Sequence, residues 1–274
     1  MSLTIDGKTL NELGLALLPE HQHPAAPSTR DYTVTIPGVP GAYDFGADLE
    51  ARPFTLPILV KPQPNNYLSA LKIREVMKTF FDSHGKPKTV KLIFDYEPDK
   101  YYKVRYSGSL DTTRYKTMAN LVFPLTAYDP RAYALDTAYD KKTLYDSGAK
   151  YNSGIIYPNP REFDWRYTIH YSGVHNHSYY EAPLKIIVKG RCKNPKITNL
   201  TTGKWIQITE TFTDADQFII DAKTWTVVKN SSINLLTKYT GDFIQLVEGD
   251  NGFMFESETE PVATVSFEWN HLFI

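Results

Sequence analysis

The sequence predicts a mainly β protein in two parts. Residues 1–133 form an N-terminal β domain with one packed α-helix, and residues 134–274 form a connector and a C-terminal β-sandwich. Three observations lead there. Phe54, Leu56, Ile58 and Val60 alternate with Thr55, Pro57 and Leu59, and Ala119, Leu121, Phe123 and Leu125 alternate with Asn120, Val122 and Pro124. That period of two puts one face of a strand against a core. Only residues 66–83 carry convincing helical spacing. From Leu184 onward, short alternating runs succeed one another with turn residues between them and no helical period, the pattern of a sandwich.

Taken in order, Leu3-Thr4-Ile5 is a short strand and Asp6-Gly7 its turn. Residues 12–18 run into Pro19 and a loop with His21, His23, Pro24 and Pro27. Tyr32, Val34 and Ile36 alternate with Thr33 and Thr35 before a loop, residues 36–46, punctuated by Pro37, Gly38, Pro40, Gly41 and Gly46 and expected to be sharply turned. The strand at 54–60 contains Pro57, which has no N–H and so favours an edge or a bulge. In the helix, Ala70, Ile73, Val76, Met77, Phe80 and Phe81 share a face that must pack on a sheet. Asn65 or Asn66 caps its start, and Gly85 suits the left-handed position past its end.

Strands resume at 90–94, 101–106 and 116–126, with turns at Pro98-Asp99 and Ser107-Gly108. Asp129-Pro130 closes the domain, because proline pushes the preceding residue out of the helical region. The connector, residues 131–182, holds the similar pieces Tyr145-Asp146-Ser147-Gly148 and Tyr151-Asn152-Ser153-Gly154. A structureless loop of that length is uncommon, so strands or an extended arm are expected within it, above all at 164–171. Beyond it, Leu184, Ile186 and Val188 share a face. Ile206 and Ile208 follow a turn at Thr201-Thr202-Gly203, and Phe218 and Ile220 lead to Trp225. Glu248-Gly249-Asp250-Asn251 reads as a hairpin turn between 243–247 and 252–255, and Ala263, Val265, Phe267 and Trp269 share one face.

At 274 residues, the chain exceeds the usual single-domain length of roughly 100–200 residues, which favours two domains. A net charge of -1 argues against a globally basic nucleic-acid or membrane-surface binder. The lone Cys192 cannot form an intramolecular disulfide, which points to synthesis in a reducing cytoplasm. The N-terminus lacks the charged and apolar regions of a signal peptide, and no apolar run approaches the roughly 20 residues of a membrane helix. Tyrosine, at 19 residues, suits both strands and interfaces.

Reactive constellations are sparse. The glycines at 38, 41 and 46 do not match a phosphate-binding loop and precede no helix. His175 and His177, with His170 nearby, have a spacing that can hold a metal on one strand face, but a solvated connector loop is the favoured reading. Cys192 has no histidine or second cysteine beside it and reads as a small buried side chain. Asp214 and Asp216 read as part of a polar turn rather than a cation or glycosidase site. No nucleophile, base and orienting group assemble, so neither catalysis nor a cofactor or metal is expected. Trp205, Trp225 and Trp269 are expected in the sandwich core, since Trp269 shares its face with Val265 and Phe267. Exposed, an indole such as Trp205 or Trp225 would stack a sugar ring, and the rival function is therefore a carbohydrate-binding module for host cell-wall glycan. A glycan-cleaving enzyme comes a distant third.

The order of features resembles the distal tail proteins (Dit) of siphophages and prophages of Gram-positive bacteria. The likeness is carried by Ile5-Asp6-Gly7-Lys8 with Leu13-Gly14-Leu15, the loop at 36–46, the helix ending at Gly85, and the stretch from Leu92 through Asp95-Tyr96-Glu97-Pro98 to Tyr102. Residues 123–130, 183–190, Asn194-Pro195-Lys196-Ile197-Thr198-Asn199 and Phe218-Ile219-Ile220-Asp221 extend it. The resemblance implies a non-enzymatic baseplate hub at the virion tail tip. Its N-terminal domains close into a hexameric ring continuing the tail tube, and its galectin-like or carbohydrate-binding-module-like C-terminal sandwiches hold receptor-binding or other baseplate proteins. The implied partners are further copies of the chain, the tail tube protein and a tail-associated lysin or tail-tip protein, with no sequence-specific nucleic acid and no membrane. Open sheet edges in the N-terminal part make Pro37, Gly38, Gly41, Tyr43, Phe45, Phe54 and Pro57 the candidate ring contacts.

Overall fold

The computed structural model describes residues 2–135 and 161–274, so the paired tyrosine motifs at 145–148 and 151–154 lie outside the described residues. The chain divides into two compact units, Met1–Leu135 with the terminal Ile274, and Asp136–Phe273.

The first unit contains β1 (Leu3–Ile5), β2 (Lys8–Thr9), β3 (Leu15–Leu17), β4 (Thr29–Val34), β5 (Tyr43–Leu49), β6 (Arg52–Val60), α1 (Asn66–Met77), β7 (Thr89–Phe94), β8 (Lys100–Tyr106), β9 (Asp111–Arg114), β10 (Ala119–Ala127) and β11 (Ala132–Ala134). The main sheet runs β2-β1-β7-β8-β10-β6-β3, with β9 on β10 and β11 on β8, while β4 and β5 pair only with each other. The β6–β10 ladder sets the register: Ile58 lies opposite Leu121, Leu56 opposite Phe123, and Phe54 opposite Leu125. These residues are buried on one face, so the alternation in both strands is fixed by a common core. Ile73, Val76 and Phe80 are buried with them, and the Phe80 ring lies 5.2 Å from that of Phe123.

Two expectations for this unit change. The helix stops at Met77 rather than continuing to residue 83. Asn65 caps its start by accepting the Leu68 N–H at 2.9 Å. Phe80 is delivered to the core by single turns past the helix end, in which the Thr79 N–H donates to Val76 O and the Phe80 N–H to Met77 O. Gly85 belongs to the next turn, where the Gly85 N–H donates to Asp82 O and the Asp82 carboxylate accepts the His84 and Lys86 N–H groups. Nor is β6 an edge strand, since it pairs with β10 on one side and β3 on the other. Pro57 is accommodated because its carbonyl, and hence its N side, faces the β3 flank. There Leu18 donates to Pro57 O, and the neighbouring chain then swings away, returning only at Gln22, which pairs with Thr55.

The second unit comprises β12 (Glu162–Trp165), β13 (Ile169–Asn176), β14 (Ala182–Pro183), β15 (Lys185–Lys193), β16 (Lys196–Asn199), β17 (Trp205–Ile208), β18 (Thr211–Phe212), β19 (Gln217–Asp221), β20 (Thr226–Lys229), β21 (Ile233–Asn234), β22 (Tyr239–Gly241), β23 (Gln245–Leu246), β24 (Gly249–Glu256), β25 (Val262–Glu268) and β26 (Leu272–Phe273). One sheet runs β12-β25-β15-β19-β20-β21 and the other β13-β24-β16-β17-β22. Ile186, Val188, Phe218 and Phe267 from the first meet Ile197, Ile206, Phe253 and Phe255 from the second in one core, with the Phe253 and Phe267 rings 4.7 Å apart.

Here, too, the sequence reading needs correcting. Residues 248–251 do not close a hairpin, because β24 pairs with β13 and β16 while β23 pairs with β14. The side chain of Asn251 redirects the chain, accepting the Val247 N–H at 3.1 Å and donating to Val247 O at 2.8 Å and Gly249 O at 3.0 Å. The strands expected within the connector around 164–171 are β12 and β13, but His175 and Asn176 end β13 rather than lying in a solvated loop. Asn176 is fully buried and donates to Leu246 O and Val247 O.

Candidate assembly surfaces

The first surface begins at an anchored root. Arg52, only 1% exposed, donates from Nε and Nη2 to Pro24 O at 3.0 and 2.5 Å and from Nη1 to Pro130 O at 3.4 Å. Its guanidinium carbon sits 5.0 Å from the centre of the Tyr102 ring. His23 stacks on Phe94 with ring centres 4.6 Å apart and is held between the hydroxyls of Tyr96 at 2.6 Å and Tyr102 at 3.2 Å. Tyr102 donates its own proton to Glu97 at 3.1 Å. It therefore accepts from Nε2–H of His23, which leaves Nδ1 to accept from Tyr96. Burial, reinforced by Arg52, lowers the His23 pKa to about 4, so the ring is neutral at pH 7. These contacts fasten the proline-rich loop on one side of the β4–β5 ribbon to the strand on its other side, and the Glu50 N–H closes the base by donating to Ser28 O.

Beyond the root, every residue of β4 and β5 is exposed. In the register, Val34 lies opposite Tyr43 and Thr33 opposite Asp44, and Phe45 with Gly46 opposes Tyr32 in a bulge. Alternation then puts Tyr32, Val34, Tyr43 and Phe45 on one face, where they are 45, 50, 54 and 70% exposed. An isolated two-stranded ribbon with an uncovered apolar face is marginal in water. Of the expected contacts, Pro37, Gly38 and Gly41 occupy the exposed bend of this ribbon and Tyr43 and Phe45 its second strand. Phe54 is withdrawn from the set: at 1% exposure it is a core residue of its own unit. Pro57 is withdrawn with it, as an interior-strand residue.

The tryptophans separate. Trp269 is buried as expected, and so is Trp165, which the sequence reading passed over because its neighbours are charged. Trp225 departs from the core expectation. It is 65% exposed, holds a backbone φ of 57°, and lies 5.4 Å from Phe243, which in turn stacks on Tyr239 at 5.1 Å. Trp205 is half-buried, and its carbonyl accepts the Asp242 N–H at 2.8 Å. Asp242 therefore meets Trp205 through the Trp205 backbone carbonyl, and Phe243 meets the Trp225 indole.

The remaining candidates are structural. The His175 and His177 rings are 4.4 Å apart, His177 and His271 are 5.2 Å apart, and Asp250 accepts from or pairs with His175 Nδ1 at 2.7 Å. Among the described residues, no group of three or more histidine, cysteine, aspartate or glutamate side chains is arranged to hold a metal ion. Cys192 is buried, which pushes its thiol up to about 12. Asp216 ties a polar turn, accepting from the Thr213 N–H and hydroxyl at 2.8 Å each and from Asn230 at 2.8 Å, and these donors hold its carboxyl well below the usual range.

Comparison with known proteins follows the same two-part division. The family model for the phage tail protein RIFT-related domain matches residues 8–125, and that for the siphovirus-type tail component, C-terminal domain, matches residues 178–271. The crystal structure of SPP1 Dit (gp 19.1), described as a paradigm of the hub adsorption apparatus in phages infecting Gram-positive bacteria, is similar along its whole length. It has a TM-score of 0.69 at 16% identity, covering 100% of this chain and 99% of that one. The chain belongs to the siphophage distal tail proteins. Baseplate structures of phage p2, in the activated conformation with strontium or calcium, give TM-scores of 0.44 and 0.42 at 11 and 12% identity, each covering 98% of this chain and 97% of that one. No curated protein matches significantly. As a distal tail protein the chain is a virion component, and the β4–β5 ribbon lies within the part matched by the tail-domain model.

Proposed function

We propose that this distal tail protein is a non-enzymatic baseplate hub whose N-terminal units close into a hexameric ring between the tail tube and the tail-tip and receptor-binding proteins. The observation that carries the reading is the free-standing β4–β5 ribbon, whose apolar face nothing among the described residues covers. An anchored ribbon of this kind is suited to lie on a neighbouring copy, and a repeated head-to-tail contact closes a ring when its rotation allows. Native mass spectrometry over a dilution series, with negative-stain images of the same sample, tests it. A hexamer with a central pore is expected; monomer alone at high concentration and low salt sinks the reading. The purified protein is also expected to leave peptidoglycan and teichoic acid intact, and turnover abolished by changing a single acidic residue would show otherwise.

A second reading is favoured by Trp225, an exposed indole in a backbone conformation that non-glycine residues rarely adopt. With Phe243 and Tyr239 behind it, the ring presents a flat apolar face of the kind that stacks on a pyranose. Isothermal titration with host cell-wall glycan is expected to show binding that Trp225→Ala weakens by about tenfold, or roughly 1.4 kcal/mol. Equal binding by both proteins removes the site.

A further inference from the structure

The second unit has one unguarded sheet edge. In the sheet β13-β24-β16-β17-β22, β13 pairs with β24 alone among the described residues and runs for 8 residues, Ile169–Asn176. The strands that end the other paths of the large sheets, β2, β3, β12, β21 and β22, run for only 2 to 4. Sheet edges are usually kept short or carry lysine, proline or inward charge, because their unpaired N–H and C=O groups invite another strand. β13 is long, and it contains no lysine, arginine, aspartate, glutamate or proline.

The register fixes which groups face outward. The Ser257 N–H donates to Thr168 O at 2.9 Å, so those two residues form a hydrogen-bonded pair, and the next pair, Ile169 with Glu256, does not. Alternation then turns the N–H and C=O groups of Ile169, Tyr171 and Gly173 toward the free side. The side chains of Ile169 and Tyr171 stand on the solvent face of the sheet, 53 and 63% exposed, and Tyr167, just before the strand, is 69% exposed. The edge is thus a row of main-chain donors and acceptors bordered by apolar side chains and free of charge.

We infer that β13 is a strand-acceptor edge, completed by an extended, uncharged segment of another tail-tip protein. Main-chain bonds supply the affinity, and the side chains beside Ile169 and Tyr171 select the segment. A second copy is a poor occupant. The strand's 8 residues fall well short of the roughly 20–30 a side of a stable interface. Pairing β13 with itself also needs a two-fold axis, which neighbours in a head-to-tail ring do not share. A segment held elsewhere on the tail tip escapes that limit, because its second contact forms at high effective concentration. The inference rests on the hub reading for the partner's origin, and the chemistry of the edge stands without it.

The probe is a capped synthetic peptide of residues 167–176, which carries no lysine, arginine or acid. Its sequence suits the edge, since antiparallel placement of Tyr171 on Tyr171 sets Ile169 opposite Gly173. Binding to the full chain is followed by fluorescence anisotropy, and amide hydrogen exchange is read at Ile169, Tyr171 and Gly173. The peptide is expected to slow exchange at those three amides about tenfold or more, with less than about a twofold change in Kd between low and high salt. Tyr171→Pro removes an N–H that serves no bond within the sheet, so the protein should melt like the parent and bind about tenfold more weakly or worse. No binding, or binding without protection of these amides, overturns the inference; this readout on the parent decides even if the proline variant does not fold. Protection already present without peptide and lost on dilution would give the edge to a second copy, which also overturns it. Native mass spectrometry of the same samples reads the ring separately, so a monomer whose edge gains protection removes the ring and keeps the acceptor edge.

Discussion

His23 shows how much of this fold is decided by single side chains that the sequence gives no reason to single out. Its partners Tyr96 and Tyr102 lie 73 and 79 residues downstream, and nothing in a proline-rich loop announces them. Buried beside Arg52, the ring has its pKa lowered to about 4, and His271, buried beside Arg161, falls to about 3. The unfolded chain, whose histidines titrate near 6.5, therefore binds more protons than the folded one between that pH and the lowered values. Stability is flat above about pH 6.5 and is lost as the pH falls toward 4. Melting temperatures at pH 7.5, 6.0 and 4.5 should decline across that window, and His23→Gln should flatten the part due to the first unit. An equal slope in the variant would show that the ring titrates normally. Cys192, in contrast, was legible, because a cysteine with no histidine or second cysteine beside it is most simply a small buried side chain.

At the scale of elements, the strands that face a core were legible because burial imposes a period of two, and β6, β10, β15 and β25 follow it along their length. What escaped was set by partners distant in sequence. Pro57 looked like an edge residue because the gap in its neighbour, between Leu18 and Gln22, is a property of another segment. The helix looked longer because Phe80 keeps the helical phase after the helix has ended. Residues 36–46 were read as a turned loop because the strand Tyr43–Leu49 has a bulge and two exposed faces, which erases alternation. Glycines divide in the same way. Gly190 sits at φ 120° in β15, and an added Cβ would lie 2.3 Å from Val262 O; Gly203 sits at φ 73° in a turn with open space around it. Gly203→Ala should cost only the backbone strain, about 1–2 kcal/mol. Gly190→Ala must also part β15 from β25 and should cost upward of about 3 kcal/mol. Urea unfolding compares them, and similar losses would mean that the β15–β25 ladder adjusts freely.

For the whole molecule, the question is which unit assembles. The β4–β5 ribbon lies within residues 1–135, and so does the entire match to the tail domain. The second unit carries its own two-sheet core and presents the exposed Trp225. If that division is right, affinity between copies is a property of the first unit alone. A chain ending at residue 135 should form the same largest oligomer as the full protein, with a dissociation midpoint within about threefold, or roughly 0.7 kcal/mol. Its salt dependence should also match that of the full chain, since the ribbon, residues 28–50, carries a net charge of -3 in both forms and screening acts on both alike. Folding of the fragment is checked independently by a cooperative melt. The buried β6–β10 face supplies the core for it, so Phe123→Ala should lower that melt by the equivalent of about 3–5 kcal/mol. A fragment that melts cooperatively but remains monomeric where the full chain assembles would move the contact to residues 161–274.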